Sequence, residues 1–414
     1  MSNAGNDAND GLSPATPWRT YARAEQEIYP PGASVLGRAG DVFNESFTPK
    51  GNGINGTGWI TLGRYGAGPN PVLDGMGVLL GGVKFDNIYS VGGWKIDGVD
   101  FQNYLLFAID FECFDRATQG IFIDNTTMDR ITGAPVISSG FPTDGSALYP
   151  TPGYHMCYPN AIFLWKVDNV ILGTIRVTNS DGAIWTNGCN NVQTVGAVTT
   201  DTTYRSGIVF ASIPKTQTFT PAVPNVFYFG PGGHYTSDSI DFGSNFQLLR
   251  AGAVTGMWWG TTALQVNNCS NVSWGPGEIG FVQRPGSTPD GVGFDIEGET
   301  TNVVVDGLDV HDCEGSGFLL FNHVWDGIPP TQTGTQILNS TFRKNGTLNP
   351  AALPLVMRLV ANLSNNVVVT GNTFDFAGVA GQFLNDCQGQ VSDPNGLQNT
   401  WPARFTVSGN TIIP

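Results

Sequence analysis

The sequence is poor in charged residues, and in basic residues above all. Charged side chains make up 13% of its 414 residues, and 34 acidic residues against 19 basic ones give a formal net charge of −15. Binding to nucleic acid or to an anionic membrane surface requires a basic face, so neither is expected as a partner. A polyanionic saccharide would also be repelled unless a bound cation or a local arginine cluster intervened.

Cysteines and long apolar runs are scarce as well. The six cysteines lie far apart and form no C-x-x-C, which excludes the usual zinc-site spacing and favours buried free thiols, with one or two disulfides as the alternative. No apolar run approaches the ~20 residues that a membrane-spanning helix requires. No signal peptide follows Met1, so either a leader has been removed or the protein leaves its cell as virion proteins do. We therefore expect an extracellular or virion-associated location.

What the sequence has in abundance is glycine, with 55 residues, and a short repeated segment in which apolar residues alternate with others. The segment recurs at intervals of 24, 32, 24, 30, 24 and 37 residues, at 184–187, 208–211, 240–243, 264–267, 294–297, 318–321 and 355–358. A second series of Asn-Val pairs, each opening a β-branched run, begins at Asn169, Asn191, Asn271, Asn302 and Asn366. Short strands that recur at such periods indicate a β-solenoid, in which stacked coils enclose one continuous core.

Four stretches carry a resemblance to a known family: Gly5 to Ala24, Gly40-Asp41-Val42-Phe43, Ile60 to Gly66, and Gly293 to Phe321. They resemble right-handed parallel β-helix proteins of the pectin-lyase-like superfamily, which includes secreted polysaccharide lyases, glycoside hydrolases and phage tailspikes. The resemblance covers most of the chain and is specific for fold rather than for activity. It implies an all-β fold, a single-stranded right-handed parallel β-helix with an N-terminal cap.

The domain organisation follows from the position of the repeats. Residues 1–70 are expected to form the cap and first strands, with a helix at Tyr21 to Ile28 for which Thr20 is the N-cap. Residues 71–414 are expected to form the β-helix, interrupted by inserted loops near 133–160 and 212–237. Long loops on a rigid scaffold are common places for binding residues.

Alignment of the repeated segments, with apolar residues inward, places acidic residues in rows on the outer face. Asp295 and Glu297 are expected to face solvent from one strand, ~7 Å apart, with Asp241 two coils away in the row of Asp295 at ~10 Å. Two carboxyl groups ~6.5–9.5 Å apart are typical of inverting glycoside hydrolases. The three residues are therefore catalytic candidates, while solvated carboxylates or a Ca²⁺ site remain alternatives; no other metal or cofactor is expected.

Residues that could bind a saccharide lie in the outward rows, in the second inserted loop, or elsewhere in the middle coils. They are the aromatic residues Trp185, Trp259 and Tyr235, the amides Gln265 and Asn267, and Arg205 and His234. Aromatic rings offer platforms for sugar rings, and arginine could serve as the base of a lyase.

The sequence thus predicts an extracellular carbohydrate-active enzyme that cleaves a polysaccharide or oligosaccharide. A glycoside hydrolase is favoured over a lyase, although neither a polygalacturonase-like set of motifs nor a pectate-lyase motif is recognisable. The alternative is a non-enzymatic virion spike or decoration protein, or a sugar-binding adhesin. A homotrimer is also predicted, because Leu319, Val356 and Phe321 would continue the outward rows as an exposed apolar patch.

Overall fold

The computed structural model describes residues 1–85, 92–131, 160–187, 189–211, 227–229, 262–267, 269–274, 276–280, 282, 291–297, 300–321, 332–346, 355–359, 364–376, 382–386, 392–393 and 405–413. The chain divides into two compact units, Met1–Val198 and Thr199–Pro414. Both consist of short β-strands, and the one helix among the described residues is α1, Tyr21–Ala24. The predicted all-β class is therefore confirmed.

The described residues of the first unit form thirteen strands, which pair in parallel with strands one coil earlier or later. They are β1 Ser34–Arg38, β2 Val42–Phe43, β3 Ile60–Tyr65, β4 Val72–Asp74, β5 Gly81–Phe85, β6 Trp94–Asp97, β7 Asp100–Gln102, β8 Phe107–Ala117, β9 Ile121–Asp124, β10 Thr126–Asp129, β11 Asn160–Leu172, β12 Ile175–Asn187 and β13 Asn190–Thr194.

These pairings form three parallel sheets. The first sheet contains β1, β3, β6, β9, the end of β11, and β13. The second contains β2, β4, β7, β10 and the start of β12. The third contains β5, β8, the start of β11 and the end of β12. β11 and β12 each turn from one sheet into the next, so each of them belongs to two sheets.

The second unit repeats this plan. Its strands are β14 Val198–Ala211, which begins at the boundary, β15 Phe227–Phe229, β16 Thr262–Asn267, β17 Ser270–Trp274, β18 Gly277–Gly280, β19 Val292–Glu297, β20 Thr301–Asp306, β21 Leu308–His311, β22 Phe318–Phe321, β23 Gln332–Thr333, β24 Gln336–Leu338, β25 Thr341–Arg343, β26 Leu355–Leu359, β27 Ser364–Asn365, β28 Val367–Thr370, β29 Thr373–Asp375, β30 Gln382–Asp386, β31 Ser392–Asp393, β32 Phe405–Ser408 and β33 Thr411–Ile413.

Three parallel sheets are found here too. One contains β17, β20, β24, β28 and β32. The next contains β18, β21, β25, β29 and β33. The third contains β14, β16, β19, β22, β26 and β30, with β31 antiparallel to β30.

The interior is filled by side chains of equivalent positions, stacked from coil to coil. In the first unit the Phe85 and Phe111 rings lie 4.9 Å apart, and Phe85 also contacts Trp94 of the first sheet at 5.6 Å. In the second unit Phe294 and Phe318 stack at 5.7 Å with an interplanar angle of 10°, and both are fully buried. The predicted inward positions are therefore confirmed at Phe294 and Phe318. Each buried ring stabilises the fold by roughly 1.5–3 kcal/mol.

The Asn-Val series marks one corner of the coils. Asn169, Asn191, Asn271, Asn302 and Asn366 all have φ between 51° and 57°, in the left-handed region that asparagine tolerates better than most residues. The side-chain amides also bond from coil to coil, with Asn191 Nδ2 donating to Asn169 Oδ1 at 2.7 Å and Asn302 Nδ2 donating to Asn271 Oδ1 at 3.1 Å. The valine after each asparagine then begins the next inward run.

Two sequence predictions about local structure require correction. The helix predicted at Tyr21 to Ile28 ends at Ala24, because the amides of Gln26 and Glu27 bond carbonyls only three residues back; the cap is as predicted, with Thr20 Oγ1 accepting from the Arg23 amide at 3.1 Å. In the third sheet of the second unit, Leu319 pairs with Arg358 rather than Val356.

Cysteines 113, 189, 269 and 313 are buried and form no disulfide within the described part of the chain, as the spacing favoured, and Cys157 and Cys387 lie outside the described residues. Among the described residues, no helix is long and apolar enough to cross a membrane.

Candidate functional site

The third sheet of the first unit carries a row of outward positions that combines charge with aromatic rings. Lys84 of β5 pairs in register with Asp110 of β8, Asp110 pairs with Phe163 of β11, and Phe163 pairs with Trp185 of β12. Adjacent members of the row are ~4.8 Å apart along the stack of coils. The row therefore places a cation, a carboxylate and two aromatic residues side by side.

Asp110 has the most unusual environment of the described acidic residues. Its side chain is fully buried, and Lys84 Nζ lies 3.2 Å from its Oδ2 atom. Burial raises the pKa of the Asp110 carboxyl group to about 6, although the Lys84 charge and its hydrogen bond act to lower it. Among the described residues, no group donates a hydrogen bond to Oδ1. Asp110 therefore has one oxygen beside a cation, and its other oxygen is buried without a hydrogen bond from the described residues.

A second carboxyl group lies two residues away on the same face. Glu112 is 6% exposed and pairs in register with Trp165, which is 5% exposed. Outward residues two apart on a strand are separated by ~7 Å. Asp110 and Glu112 thus form a pair of neighbouring carboxyl groups in a site of low polarity, where one of them retains its proton at a higher pH than an ordinary aspartate.

Aromatic side chains cover the next two coils of this outer face. The rings of Phe163 and Trp185 lie 6.4 Å apart at an angle of 60°, and Lys166 Nζ lies 5.0 Å from the Trp165 ring. Trp185, a predicted saccharide-binding residue, is 8% exposed. It lies in the row of Asp110, two positions along.

The sequence alignment of repeats missed Asp110 and Glu112, although their signal is present. Ile109-Asp110-Phe111-Glu112 has the same order of apolar, aspartate, apolar and glutamate residues as Phe294-Asp295-Ile296-Glu297. The series of repeats was recognised only from Ile184 onward, where the strands recur more regularly. Lys84 could have been identified only by knowing which residue 26 positions earlier pairs with Asp110.

The predicted pair on β19 is placed partly as expected. Asp295 points away from the core, as Phe294 and Ile296 are fully buried beneath it, and it pairs with Gln265 of β16. Asn267 pairs with Glu297 in the same way. The expectation that Asp295 faces solvent is wrong, because its side chain is only 5% exposed. The side chains of Glu297 and Asn267 lie outside the described residues.

The structure leaves the remaining predicted site residues untested. Asp241, Tyr235, His234 and Trp259 lie outside the described residues, as do most of both predicted loop regions, and Arg205 is described only as a backbone position of β14. Among the described residues, Val209 pairs directly with Gln265 and occupies the position two coils before Asp295, which the repeat alignment gave to Asp241.

The apolar patch that motivated a trimer is also changed. Leu319 is 5% exposed, and the next position of its row is Arg358. The patch is therefore not continuous in the way the alignment implied, and the trimer stays a prediction.

A separate polar cluster lies on β18, β21 and β25. His311 Nε2 lies 2.7 Å from Glu278 Oε1 and its Nδ1 lies 2.8 Å from Asp312 Oδ2, while Arg343 donates to Asp309 at 2.9 Å. Both ring nitrogens are thus engaged by carboxylates. Within the described ranges, no three His, Cys, Asp or Glu side chains form a group that could hold a metal ion.

Comparison with known proteins tests the fold independently of the sequence pattern. No family model matches the sequence, and no curated protein matches it. The chain is similar to the GH136 lacto-N-biosidase from Eubacterium ramulus at 13% identity, with TM-scores of 0.67 for the native protein and 0.61 for its selenomethionine derivative. The match covers 100% of this chain and 67% of that one.

A weaker likeness, with a TM-score of 0.42 at 11% identity, is to the catalytic domain of a GH87 α-1,3-glucanase. It covers 91% of this chain and 64% of that one. The stronger likeness shows that the chain has the parallel β-helix fold, as the resemblance implied.

Proposed function

We propose that this protein is a carbohydrate-active enzyme that hydrolyses glycosidic bonds in an oligosaccharide or polysaccharide. The observation that carries the proposal is the Asp110 carboxyl group. It is buried, burial raises its pKa to about 6, and Glu112 lies beside it on the same face of the strand. The fold shared with a lacto-N-biosidase supports the proposal, since that protein is a glycoside hydrolase on a parallel β-helix.

The two carboxyl groups divide the work in this proposal. Asp110 stays protonated in weakly acidic solution and donates its proton to the leaving oxygen, while Glu112 activates the attacking water. A separation of ~7 Å lies within the range of inverting enzymes, which need room for a water between base and sugar. The reaction is therefore proposed to invert the configuration at the anomeric carbon.

The charge of the site favours hydrolysis over elimination. A lyase needs a cation to neutralise the uronate carboxylate of its substrate. Lys84, the cation of this row, is already paired with Asp110 at 3.2 Å. With a net charge of −15, the protein is better suited to a neutral saccharide than to a polyuronate.

The rows of aromatic residues run along the stack of coils, and this sets the proposed orientation of the substrate. Phe163 and Trp185 follow Asp110 along the stack of coils, and Trp165 follows Glu112. A saccharide bound on these residues would lie along the stack rather than along a single strand. The right-handed coil direction, the N-terminal cap and secretion belong to the same proposal, and the Asp295–Glu297 pair stays a predicted second location for the reaction.

The test is incubation with a panel of neutral and acidic saccharides, followed by mass spectrometry of the products and a reducing-end assay. Hydrolysis adds one water per bond cleaved, and Asp110→Asn should slow it by on the order of 10²-fold or more. Absorbance from an unsaturated uronate would instead identify a lyase. Binding of a saccharide without any product would favour the adhesin or spike alternative.

A further inference from the structure

The Lys84–Asp110 ion pair joins two successive coils across the third sheet. Lys84 belongs to β5 and Asp110 to β8, and the register of the two strands places them directly opposite each other. The Lys84 side chain is 26% exposed, whereas that of Asp110 is fully buried. The lysine therefore reaches from the edge of the site towards a carboxyl group that is closed off from water.

We propose that Lys84 is a positioning residue that fixes the Asp110 carboxyl group and tunes its acidity for proton donation. This inference rests on the proposed function, because it assigns Lys84 a role through Asp110 rather than through the substrate. The contact is made to Oδ2, and among the described residues no group donates a hydrogen bond to Oδ1.

Two opposing effects act on Asp110. Burial raises the pKa of its carboxyl group, and the Lys84 charge and hydrogen bond lower it again, so that the pKa is about 6. An adjacent cation commonly lowers a carboxyl pKa by ~1–3 units. Without Lys84, Asp110 would keep its proton to a higher pH and would be a weaker acid.

The charged residues around Asp110 are contributed by β5, β8 and β11. β5 contributes Lys84, and β8 itself contributes Glu112 on the same face. On the other side, β11 places Phe163 opposite Asp110, and its Lys166 has Nζ over the Trp165 ring. Among the described residues, Lys84 is the cation that contacts the Asp110 carboxyl group.

A second lysine–aspartate pair in the same unit offers a matched control. Lys95 Nζ lies 2.7 Å from Asp97 Oδ2, and the Lys95 side chain is also 26% exposed. Asp97, however, is 31% exposed; burial acts to raise the pKa of its carboxyl group, but hydrogen bonds from Asn125 and Lys95 lower it overall. The two pairs share their chemistry and differ in the burial of the carboxylate.

The experiment measures kcat/KM against pH for the full chain and for Lys84→Met, Lys84→Arg and Lys95→Met. We expect Lys84→Met to move the alkaline limb of the profile up by about 1 pH unit or more. Lys84→Arg should restore the original limb, because it keeps the charge, and Lys95→Met should leave the profile unchanged. Thermal unfolding of each variant confirms that it is folded.

An independent readout comes from carboxyl-carbon NMR of protein labelled with ¹³C-aspartate, with the Asp110 signal assigned by its loss in Asp110→Asn. A higher titration midpoint in Lys84→Met supports the inference, and an unchanged midpoint overturns it. If Asp110→Asn retains full activity, the proposed catalytic site fails, and the NMR titration still decides whether Lys84 sets the acidity of Asp110.

Discussion

Two strands of the molecule carry the same pattern of residues with different surroundings. Asp110 and Glu112 lie on β8 of the first unit, and Asp295 and Glu297 lie on β19 of the second, each pair two residues apart on the outer face. Both aspartates are buried, at 0% and 5% exposure. The difference lies in the rows. Asp110 has Lys84 one coil before it, whereas Asp295 has Gln265 before it and Leu319 after it.

The comparison shows that local sequence does not set the chemistry of a carboxyl group on a β-helix. The neighbours that matter are contributed by strands 24 to 53 residues away, through the register of the coils. A cation in the row holds and orients a buried carboxylate, whereas an amide offers a hydrogen bond but no charge. Substitutions in the two carboxyl pairs should therefore have different effects.

The largest expected effect is on catalysis. Asp110→Asn should lower kcat/KM by on the order of 10²-fold or more, because it removes the proton donor while keeping the shape of the side chain. Asp295→Asn should cause a much smaller change. Saccharide hydrolysis by the two variants, measured at equal protein concentration, decides between them.

Glu112→Gln and Glu297→Gln extend the same comparison to the second carboxylate. Circular dichroism of all four variants controls for folding. A large loss in the β19 variants with normal rates in the β8 variants would place the site where the sequence alone predicted it, and would contradict the proposal made from the structure.

The core should respond alike in both units. Phe111→Ala and Phe294→Ala should each lower the free energy of unfolding by about 3–5 kcal/mol, since each removes a fully buried ring and leaves a cavity. Urea unfolding measures the effect. Asp295→Asn, one residue from Phe294, should cost far less, and the reverse order would contradict the assignment of inward and outward faces.

The sequence could predict the coils because their cause is local. Alternating apolar residues specify which side of a strand faces the core, and this prediction is confirmed at Phe294, Ile296, Phe318 and Leu320, all fully buried. The Asn-Val corners have the same origin, since a left-handed residue must precede each run. The all-β class followed from these two patterns.

The candidate site could not be predicted to the same extent. Burial of outward residues such as Asp295 and Trp185 depends on what packs over the outer face, which strand alternation does not encode. The register across a long connection cannot be predicted from strand alternation either. Leu319 pairs with Arg358, whereas the alignment of repeats implied Val356. The repeat pattern at Ile109 to Glu112 was detectable, but its partner Lys84 was not.

The stability of the fold should depend on pH through Asp110. The pKa of this carboxyl group is about 6 in the folded protein and near 4 when unfolded, so the folded state holds the proton more tightly. The contribution of Asp110 to stability is therefore greatest below about pH 4 and falls as pH rises from about 4 to 6, by about 2–3 kcal/mol in total. Urea unfolding between pH 4 and 7 measures this change.

Asp110→Asn should remove that part of the pH dependence, because asparagine does not titrate. Asp97→Asn is the control and should change stability in the opposite sense: the lowered pKa of Asp97 stabilises the folded state at neutral pH, and that contribution is lost as pH falls. An Asp110→Asn variant with the same pH dependence as the original chain would contradict the assigned environment of Asp110.

The smallest effects are expected at the corner asparagines, which are alike in the two units. Asn191 and Asn302 have φ of 53° and 55°, and each donates its amide to an asparagine one coil before. Replacement by alanine should cost about 1–2 kcal/mol in either unit, because alanine lacks the short polar side chain that lets asparagine tolerate the left-handed region. Replacement by glycine should cost less, since glycine adopts this conformation freely and loses only the side-chain hydrogen bonds. Equal results at Asn191 and Asn302, measured by urea unfolding, would show that both units share one coil framework. A difference in activity between the Asp110 and Asp295 variants would then be caused by the side chains in their rows. Unequal results at the two asparagines would instead indicate that the backbone of the coils differs between the units.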